Sequence, residues 1–340
     1  MRLLVTGGAG FIGSNFIRSV LNAHADVTIV NFDALTYAAN PENLADVEAQ
    51  FGPRYAFVRG DVTDATQVLQ TVREHHINTI INFAAETHVD RSIHLGARAF
   101  VTTNVLGVCT LLDVVRQEGI ERFVQVSTDE VYGTLALDDG LRFTEDTAFA
   151  PNVPYAAAKA GGDLLCRSYV VTHKAPVIVT HCSNNYGPYQ FPEKLIPFVI
   201  FRAMAGQPVP IYGDGKNVRD WIHVEDHCAA LDTLLRTGIP GAVYNIGVDN
   251  ERNNLDVVGA ILEILGKPRS LMQFVEDRPG HDRRYAIDAT KIEALGWKPV
   301  YTRDRFHEGL ERTVRWYQEH RAWVEQLRTR SEEINAHLPR

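Results

Sequence analysis

Three groups of residues have the types and spacing to do chemistry. The first is Ser127-Thr128-Asp129-Glu130-Val131-Tyr132-Gly133, which follows the apolar run Phe123-Val124-Gln125-Val126. Two adjacent carboxylates can serve as an acid and a base when their surroundings push their pKa values apart. Position alone does not demand this, because strands end in polar loops and most surface acids do nothing specific. The second group is Tyr155 and Lys159, a Y-x-x-x-K pair. Four residues is one helical turn, so both side chains share a face. A lysine ammonium near a phenol favours the phenolate, and a phenol so tuned can take a proton from a hydroxyl as hydride leaves the same carbon. The third is Thr6-Gly-Gly-Ala-Gly-Phe-Ile-Gly13, in which Gly8, Gly10 and Gly13 satisfy G-x-G-x-x-G and Gly7, Gly10 and Gly13 repeat at intervals of three. Such glycines let backbone approach a pyrophosphate at a helix N-terminus. Asp33 lies twenty residues past Gly13, where a carboxylate can bind ribose hydroxyls and repel a 2′-phosphate, so NAD is expected over NADP.

These groups need a frame. Apolar runs at Arg2–Thr6, Val27–Phe32, Tyr55–Val58, Thr79–Phe83, Arg122–Val126 and Val177–Thr180 read as strands. They alternate with helical patterns at Phe11–Ala23, Thr63–His75, Ala97–Gln117 and Tyr155–Thr172. Strands apolar almost throughout, alternating with helices, predict a Rossmann-type α/β fold with a doubly wound parallel sheet covered on both faces. Past about residue 184, Pro- and Gly-rich segments predict a smaller, partly interleaved C-terminal lobe, mainly residues 185–330, on a dinucleotide domain of residues 1–184. Residues 242–247 (AVYNIG) are expected to return to the sheet, and Arg303–Arg330 to be an amphipathic helix. The strand C-terminal ends then bring Asp61-Val62, Ala84-Ala85-Glu86-Thr87 and the acid pair to one ligand-binding edge.

Composition narrows the partners. The 340 residues are 45% apolar and 22% charged, with a net charge of −8. No charge run reaches five residues, which argues against nucleic acid. Cys109, Cys166, Cys182 and Cys228 are scattered without metal-ligand spacing, which fits reduced thiols in a cytoplasmic protein and no metal site. No stretch approaches eighteen consecutive apolar residues, and the N-terminus lacks a signal-peptide core, so no membrane association is expected.

With the glycine loop and Tyr155/Lys159 in place, the chain resembles the extended short-chain dehydrogenase/reductase family. The segments TGGAGFIGS, AAETHVDRSI, STDEVYG, YAAAK, CSNNYGPYQFPEKLIP, YGDGKNVRDWIHVEDH, YNIGVDNERNN and DRPGHDRRYAID narrow this to the dTDP-glucose 4,6-dehydratases, over residues 1 to about 320. By that resemblance Asp129 is the discriminating residue, since related epimerases and decarboxylases usually carry a small hydroxyl residue or alanine there. The family's usual Y-S-x-S-K is here Tyr155-Ala156-Ala157-Ala158-Lys159, so the hydroxyls at 156 and 158 are missing.

The resemblance implies roles. Tyr155, supported by Lys159, would deprotonate the glucose 4-hydroxyl as NAD takes the C4 hydride. Glu130 would remove the C5 proton and a protonated Asp129 would assist departure of the C6 hydroxyl. Hydride return to C6 would then give dTDP-4-keto-6-deoxyglucose and regenerate a tightly held NAD. Adjacent residues on an extended segment point apart, so a bend must aim both acids at C5 and C6. Cofactor contacts are implied for Gly7, Gly10, Phe11, Ile12, Gly13, Asp33, Leu35, Thr36, Asp61, Val62, Ala84, Ala85, Thr87, Thr103, Tyr155, Lys159 and Asn184. Substrate contacts are implied for Thr87, Thr128, Asn185, Lys194, Leu195, Pro210, Tyr212, Arg219, Asn254, Arg278 and His281. The family forms homodimers through a four-helix bundle. Here that would use Ala97–Gln117 and Tyr155–Thr172, although packing within one chain is equally open to them. Two rival functions remain: a dehydratase of another nucleotide sugar such as UDP-glucose, and a non-catalytic NAD sensor.

Overall fold

The computed structural model describes residues 1–334. Its strands are β1 (Arg2–Thr6), β2 (Thr28–Asp33), β3 (Tyr55–Arg59), β4 (Thr79–Asn82), β5 (Arg122–Thr128), β6 (Val177–Cys182), β7 (Asn184–Tyr186), β8 (Val209–Tyr212), β9 (Val218–His223), β10 (Val243–Ile246), β11 (Glu251–Asn253) and β12 (Met272–Val275). Seven form one sheet in the order β3-β2-β1-β4-β5-β6-β10, with every neighbouring pair parallel. The chain leaves β1 towards β2 and later crosses back to β4 on its other side, so a crevice opens between β1 and β4 at their C-terminal ends. The expected return strand is there: Val243–Ile246 pairs with β6 at the far edge.

The near-continuous apolar runs are explained by burial on both sheet faces. β4 and β6 have no exposed residue. On one face Leu3, Val5, Phe16, Ile17, Val124, Ile178 and Leu231 join one core; on the other Leu4, Ile80, Val68, Leu111, Phe123 and Val177 join a second. A third core, with Tyr186, Ile200, Trp221, Ile261, Leu310 and Tyr317, lies among later elements. These include a three-stranded sheet, β11-β9-β7, and the two-stranded β12-β8.

Two helices differ from expectation. The predicted Ala97–Gln117 helix is a run from Arg98 to Glu118 interrupted by a π-helical turn at Thr102–Gly107. That turn packs on the helix Pro154–His173 where Gly162 lets the backbone approach: a Cβ there would lie 2.5 Å from the Asn104 carbonyl oxygen. The Asn104 side chain in turn accepts from Glu86 N–H (2.9 Å) and donates to Glu86 O (3.0 Å), pinning the loop after β4. Pattern reading sees only helical periodicity and cannot register one inserted residue. The C-terminal stretch is two helices, Phe306–Glu319 and Arg321–Ile334. They part at His320, whose ring stacks on Trp316 and bonds its carbonyl oxygen (2.8 Å).

Arg98–Glu118 is long and apolar enough, by composition alone, to cross a membrane, yet half of the window that meets that test is buried within the protein. No other described helix meets that test. The four cysteines are free thiols, and Cys166, Cys182 and Cys228 are buried.

Candidate active site

A cavity of about 400 Å³ runs along the C-terminal edge of the sheet from the glycine loop to β8 and β9. At its first end the turn after β1 meets the turn after β4. Gly7 has φ +69°, and a Cβ on it would lie 2.6 Å from Ala84 N. A Cβ on Gly13 would lie 2.5 Å from Gly7 O. The helix Phe11–Ala23 begins at Gly10 with no side-chain cap, leaving its first N–H groups for an anion. Asp33, the last residue of β2, accepts from Ala9 N–H (2.9 Å) and Leu35 N–H (2.8 Å). It therefore holds the glycine loop and its own following loop, and its carboxylate still lines the cavity. These features fit a dinucleotide: an open cradle that side chains would fill, an uncapped helix start and an acid at the next strand end.

The middle of the cavity holds the reactive groups. Tyr155 is the second residue of the helix Pro154–His173, which Pro154 opens. Tyr155 and Lys159 line the cavity and are both buried. Lysine was expected to lower the tyrosine pKa, but burial and then the negative charge of Glu130 hold Tyr155 well above its ordinary value, with the Thr128 hydroxyl acting the other way. Lys159 Nζ donates to the Val126 carbonyl (2.7 Å), and burial pushes its pKa down.

The bend that the acid pair required is a 3₁₀ turn, Asp129–Tyr132, which starts where β5 ends. Thr128 caps it, its hydroxyl accepting from Glu130 N–H (3.3 Å). Successive residues of such a turn are offset by about 120°, so Asp129 and Glu130 both face the cavity. One oxygen of each, Asp129 Oδ2 and Glu130 Oε2, is buried without a partner among the described residues. Burial and then the neighbouring Glu130 drive Asp129 well above its ordinary carboxylate value. Burial also raises Glu130, but Lys194, Arg278 and Arg219 oppose the rise. The pair is thus split: Asp129 keeps its proton more strongly, and Glu130 more readily gives one up.

Cations gather at the far end. Arg219 lies over the Tyr285 ring at 4.1 Å and donates to Asp282 O (2.9 Å). Arg278 pairs with Asp90 (3.3 Å), and its buried Nε has no partner among the described residues. Lys194 Nζ donates to Thr87 O (2.6 Å) and caps no backbone group of the helix Leu195–Met204 that it precedes. His281 Nδ1–H donates to the Asp277 carboxylate (2.6 Å); burial and then Arg278 lower its pKa to about 4, so it is neutral at pH 7. Pro210, Tyr212, Asn254, Leu195 and Asn184 also line this cavity. Asn185 lines it too, but its amide is turned to Ser183 O (3.0 Å) and His227 Nδ1 (2.8 Å).

Five expected cofactor residues are off these walls. Leu35 and Thr36 follow Asp33 on its loop, and Thr36 O receives Arg330 (2.5 Å). Asp61 folds onto Thr63 (2.8 Å), Val62 packs against Gly107, and Thr103 sits in the π turn. Conversely, sequence reasoning missed Glu193, Asp90 and Tyr285 on the wall. The Glu193 side chain is buried and accepts from Tyr37 OH (3.2 Å) and Thr87 Oγ1 (3.4 Å). Its neighbour Lys194 was the available signal.

The acid pair separates this cavity from a simple dehydrogenase site. A Rossmann cradle with a Tyr/Lys pair moves hydride and one proton; two split carboxylates beside it add an elimination. The chain is of that class, a nicotinamide-dependent lyase built on an oxidoreductase fold. It belongs to the GDP-mannose 4,6 dehydratase family, whose model matches residues 4–313. It is 50% identical to dTDP-glucose 4,6-dehydratase of Xanthomonas campestris pv. campestris strain B100, over 95% of this chain and 94% of that one. It is 54% identical to the low-salt glycan biosynthesis protein Agl12 of Haloferax volcanii, over 93% of this chain and 98% of that one. Among solved structures, a dTDP-glucose 4,6-dehydratase of Streptomyces venezuelae with NAD bound superposes with a TM-score of 0.90 at 48% identity, covering 95% of this chain and 98% of that one.

Proposed function

We propose that this protein converts dTDP-glucose to dTDP-4-keto-6-deoxyglucose and water. The observation that carries this reading is the split acid pair, two buried carboxylates with unpartnered oxygens facing one cavity beside Tyr155. NAD would be held by Gly7, Gly10, Phe11, Ile12, Gly13, Asp33, Ala84, Ala85, Thr87 and Asn184, with Leu35, Thr36, Asp61, Val62 and Thr103 as further candidates. Bound there, it supplies a reversible hydride acceptor and, when oxidised, a positive ring that offsets what burial does to Tyr155.

The chain's own residues move protons. Tyr155 takes the proton of the C4 hydroxyl, with Thr128 beside it and Lys159 behind it. The ketone that results makes the C5 hydrogen acidic. Glu130 removes that hydrogen while Asp129 gives its proton to the C6 hydroxyl, which leaves as water. When the hydride taken from C4 comes back to C6, Glu130 returns its proton to C5, and the proton gained by Tyr155 makes good the one that Asp129 lost to water. Asp129 thus acts as the acid, and Glu130 acts first as base and then as acid. Arg219, Arg278 and Lys194 bind the diphosphate, a match of charge and geometry, and neutral His281, its one proton committed to Asp277, lies beside them. Tyr212, Pro210, Leu195, Asn185 and Asn254 frame the nucleotide.

The test is mass spectrometry after incubating the purified protein, without added cofactor, with dTDP-glucose and with UDP-glucose. Loss of one water from dTDP-glucose alone is expected. Loss from UDP-glucose instead would overturn the substrate, and no loss from either with NAD supplied would overturn the activity.

We further propose a homodimer in the cytoplasm and a division into an NAD domain (1–184 with the return strand) and a substrate lobe (mainly 185–330). Val101, Leu106, Leu164 and Val171 are exposed apolar residues on the paired runs Arg98–Glu118 and Pro154–His173, which supports a bundle of these helices with their copies.

A further inference from the structure

Two cations of the far end are held from across the cavity. Arg278 lies on the irregular segment that follows β12, and Lys194 precedes the helix Leu195–Met204. Their partners belong to the stretch after β4: Thr87 O accepts from Lys194 Nζ (2.6 Å), and Asp90 Oδ1 accepts from Arg278 Nη1 (3.3 Å). Asp90 is the second residue of the short helix Val89–His94. That helix is fastened to the one that carries Tyr155. Ser92 Oγ accepts from Tyr155 N–H (3.3 Å) and donates to Val89 O (2.6 Å), and Val89 packs with Val153, Tyr155 and Ala156 in one apolar cluster. The backbone that carries Arg278 has its own anchor, Asp277, whose Oδ1 accepts from Arg278 N–H (2.9 Å) and from His281 Nδ1–H (2.6 Å). Asp277 thus fixes the chain at this point, and Asp90 fixes the guanidinium at the end of the side chain.

We propose that Asp90 is a positioning residue for the substrate's diphosphate: by holding Arg278 at Nη1 it ties that guanidinium to the frame of the Tyr155 helix and leaves its Nε side for a phosphate oxygen. This rests on the dehydratase reading given above. A guanidinium is a rigid plane with donors on separate edges, so it can keep a carboxylate on one and take an anion on another. Asp90 takes Nη1, while the buried Nε has no hydrogen-bond partner among the described residues, an N–H that a bound anion would satisfy. An arginine without such a hold samples many rotamers, and ordering it on binding costs affinity. The side chains of Asp90 and Arg278 are 10% and 19% exposed, so the pair escapes most of the solvent screening that makes surface ion pairs weak. A carboxylate that merely stood beside a diphosphate would repel it. The sign of the effect of removing the Asp90 charge therefore decides between the two roles.

The experiment is a double-mutant cycle read by calorimetry of dTDP binding to the NAD-loaded protein, with KM for dTDP-glucose measured beside it. Asp90→Asn keeps the shape and removes the charge. It should raise the Kd for dTDP about tenfold, and KM should rise in step. In an Arg278→Gln background the same change should cost less than about twofold, because the group that Asp90 positions is gone. A merely structural residue would cost as much there as in the wild type. Equal losses in both backgrounds, or a Kd that Asp90→Asn leaves unchanged or lowers, overturn the proposal. If Asp90→Asn does not fold, Arg278→Lys decides. One ammonium cannot offer separate edges to Asp90 and a phosphate, so its Kd should match that of Arg278→Gln, and a wild-type Kd overturns the proposal. A wild type that binds dTDP but turns nothing over refutes the functional reading alone, while the binding cycle still judges Asp90. A wild type that binds no dTDP overturns both.

Discussion

Asp129→Asn isolates the elimination from the oxidation. Asp129 is buried, its Oδ2 has no partner, and its Oδ1 has only a long contact with the Thr128 hydroxyl (3.4 Å). Burial and Glu130 favour its protonated form, so the change replaces a carboxylic acid by an amide of the same shape and leaves Glu130 in a similar field. What disappears is the proton donated to the C6 hydroxyl. A placed general acid is worth about 10²–10⁴-fold, or about 3–5 kcal/mol of barrier. Dehydration should therefore fall by that factor while the first hydride transfer persists, and stopped-flow absorbance should show reduced nicotinamide accumulating. Stability supplies a second reading. A folded-state pKa above the ordinary 3.8 means that the wild type loses stability as pH rises from there through the folded value. Asparagine carries no such penalty. The variant should melt at or above the wild-type temperature at pH 7.5, with the gap closing towards pH 4. Turnover within about threefold of wild type, or a parallel loss of hydride transfer, would refute the assignment of the acid.

Other expectations follow from particular contacts. Gly13→Ala puts a methyl 2.5 Å from Gly7 O, so the purified variant should lack the nicotinamide absorbance of wild type, read after denaturing release. Gly162→Ala forces the Asn104 carbonyl away; overpacking should cost about 1–3 kcal/mol in denaturant melts and raise KM as the Glu86 loop loosens. Leu164→Glu on the exposed apolar face should shift sedimentation from dimer to monomer, and a wild type that sediments as a monomer would refute the dimer. Since His281 is neutral down to about pH 4, KM for the nucleotide sugar should show no inflection near pH 6.5; a clear one would contradict its assigned state.

Much of this was legible in the chain. Parallel strands buried on both faces leave continuous apolar runs, and helices leave a 3.6-residue period, so the alternation and the sheet could be read directly. The glycine loop, Asp33, the Tyr155/Lys159 turn and the acid pair announce themselves because their chemistry depends on local spacing. The tertiary structure decided what depends on distance across the sheet. The 3₁₀ turn that aims Asp129 and Glu130 together is a backbone choice made at the end of β5. The split between them comes from burial and from Lys194, Arg219 and Arg278, dozens of residues away. The π turn packs on another helix where Gly162 leaves room for the Asn104 carbonyl. The Tyr155 pKa rises because desolvation, which no spacing rule reports, outweighs a neighbouring lysine. Ser127 and His181 reach the Asp163 carboxylate only because β5 and β6 lie beside its helix. Residue types state what chemistry is available; charge and solvent, which act through space, determine which group performs it.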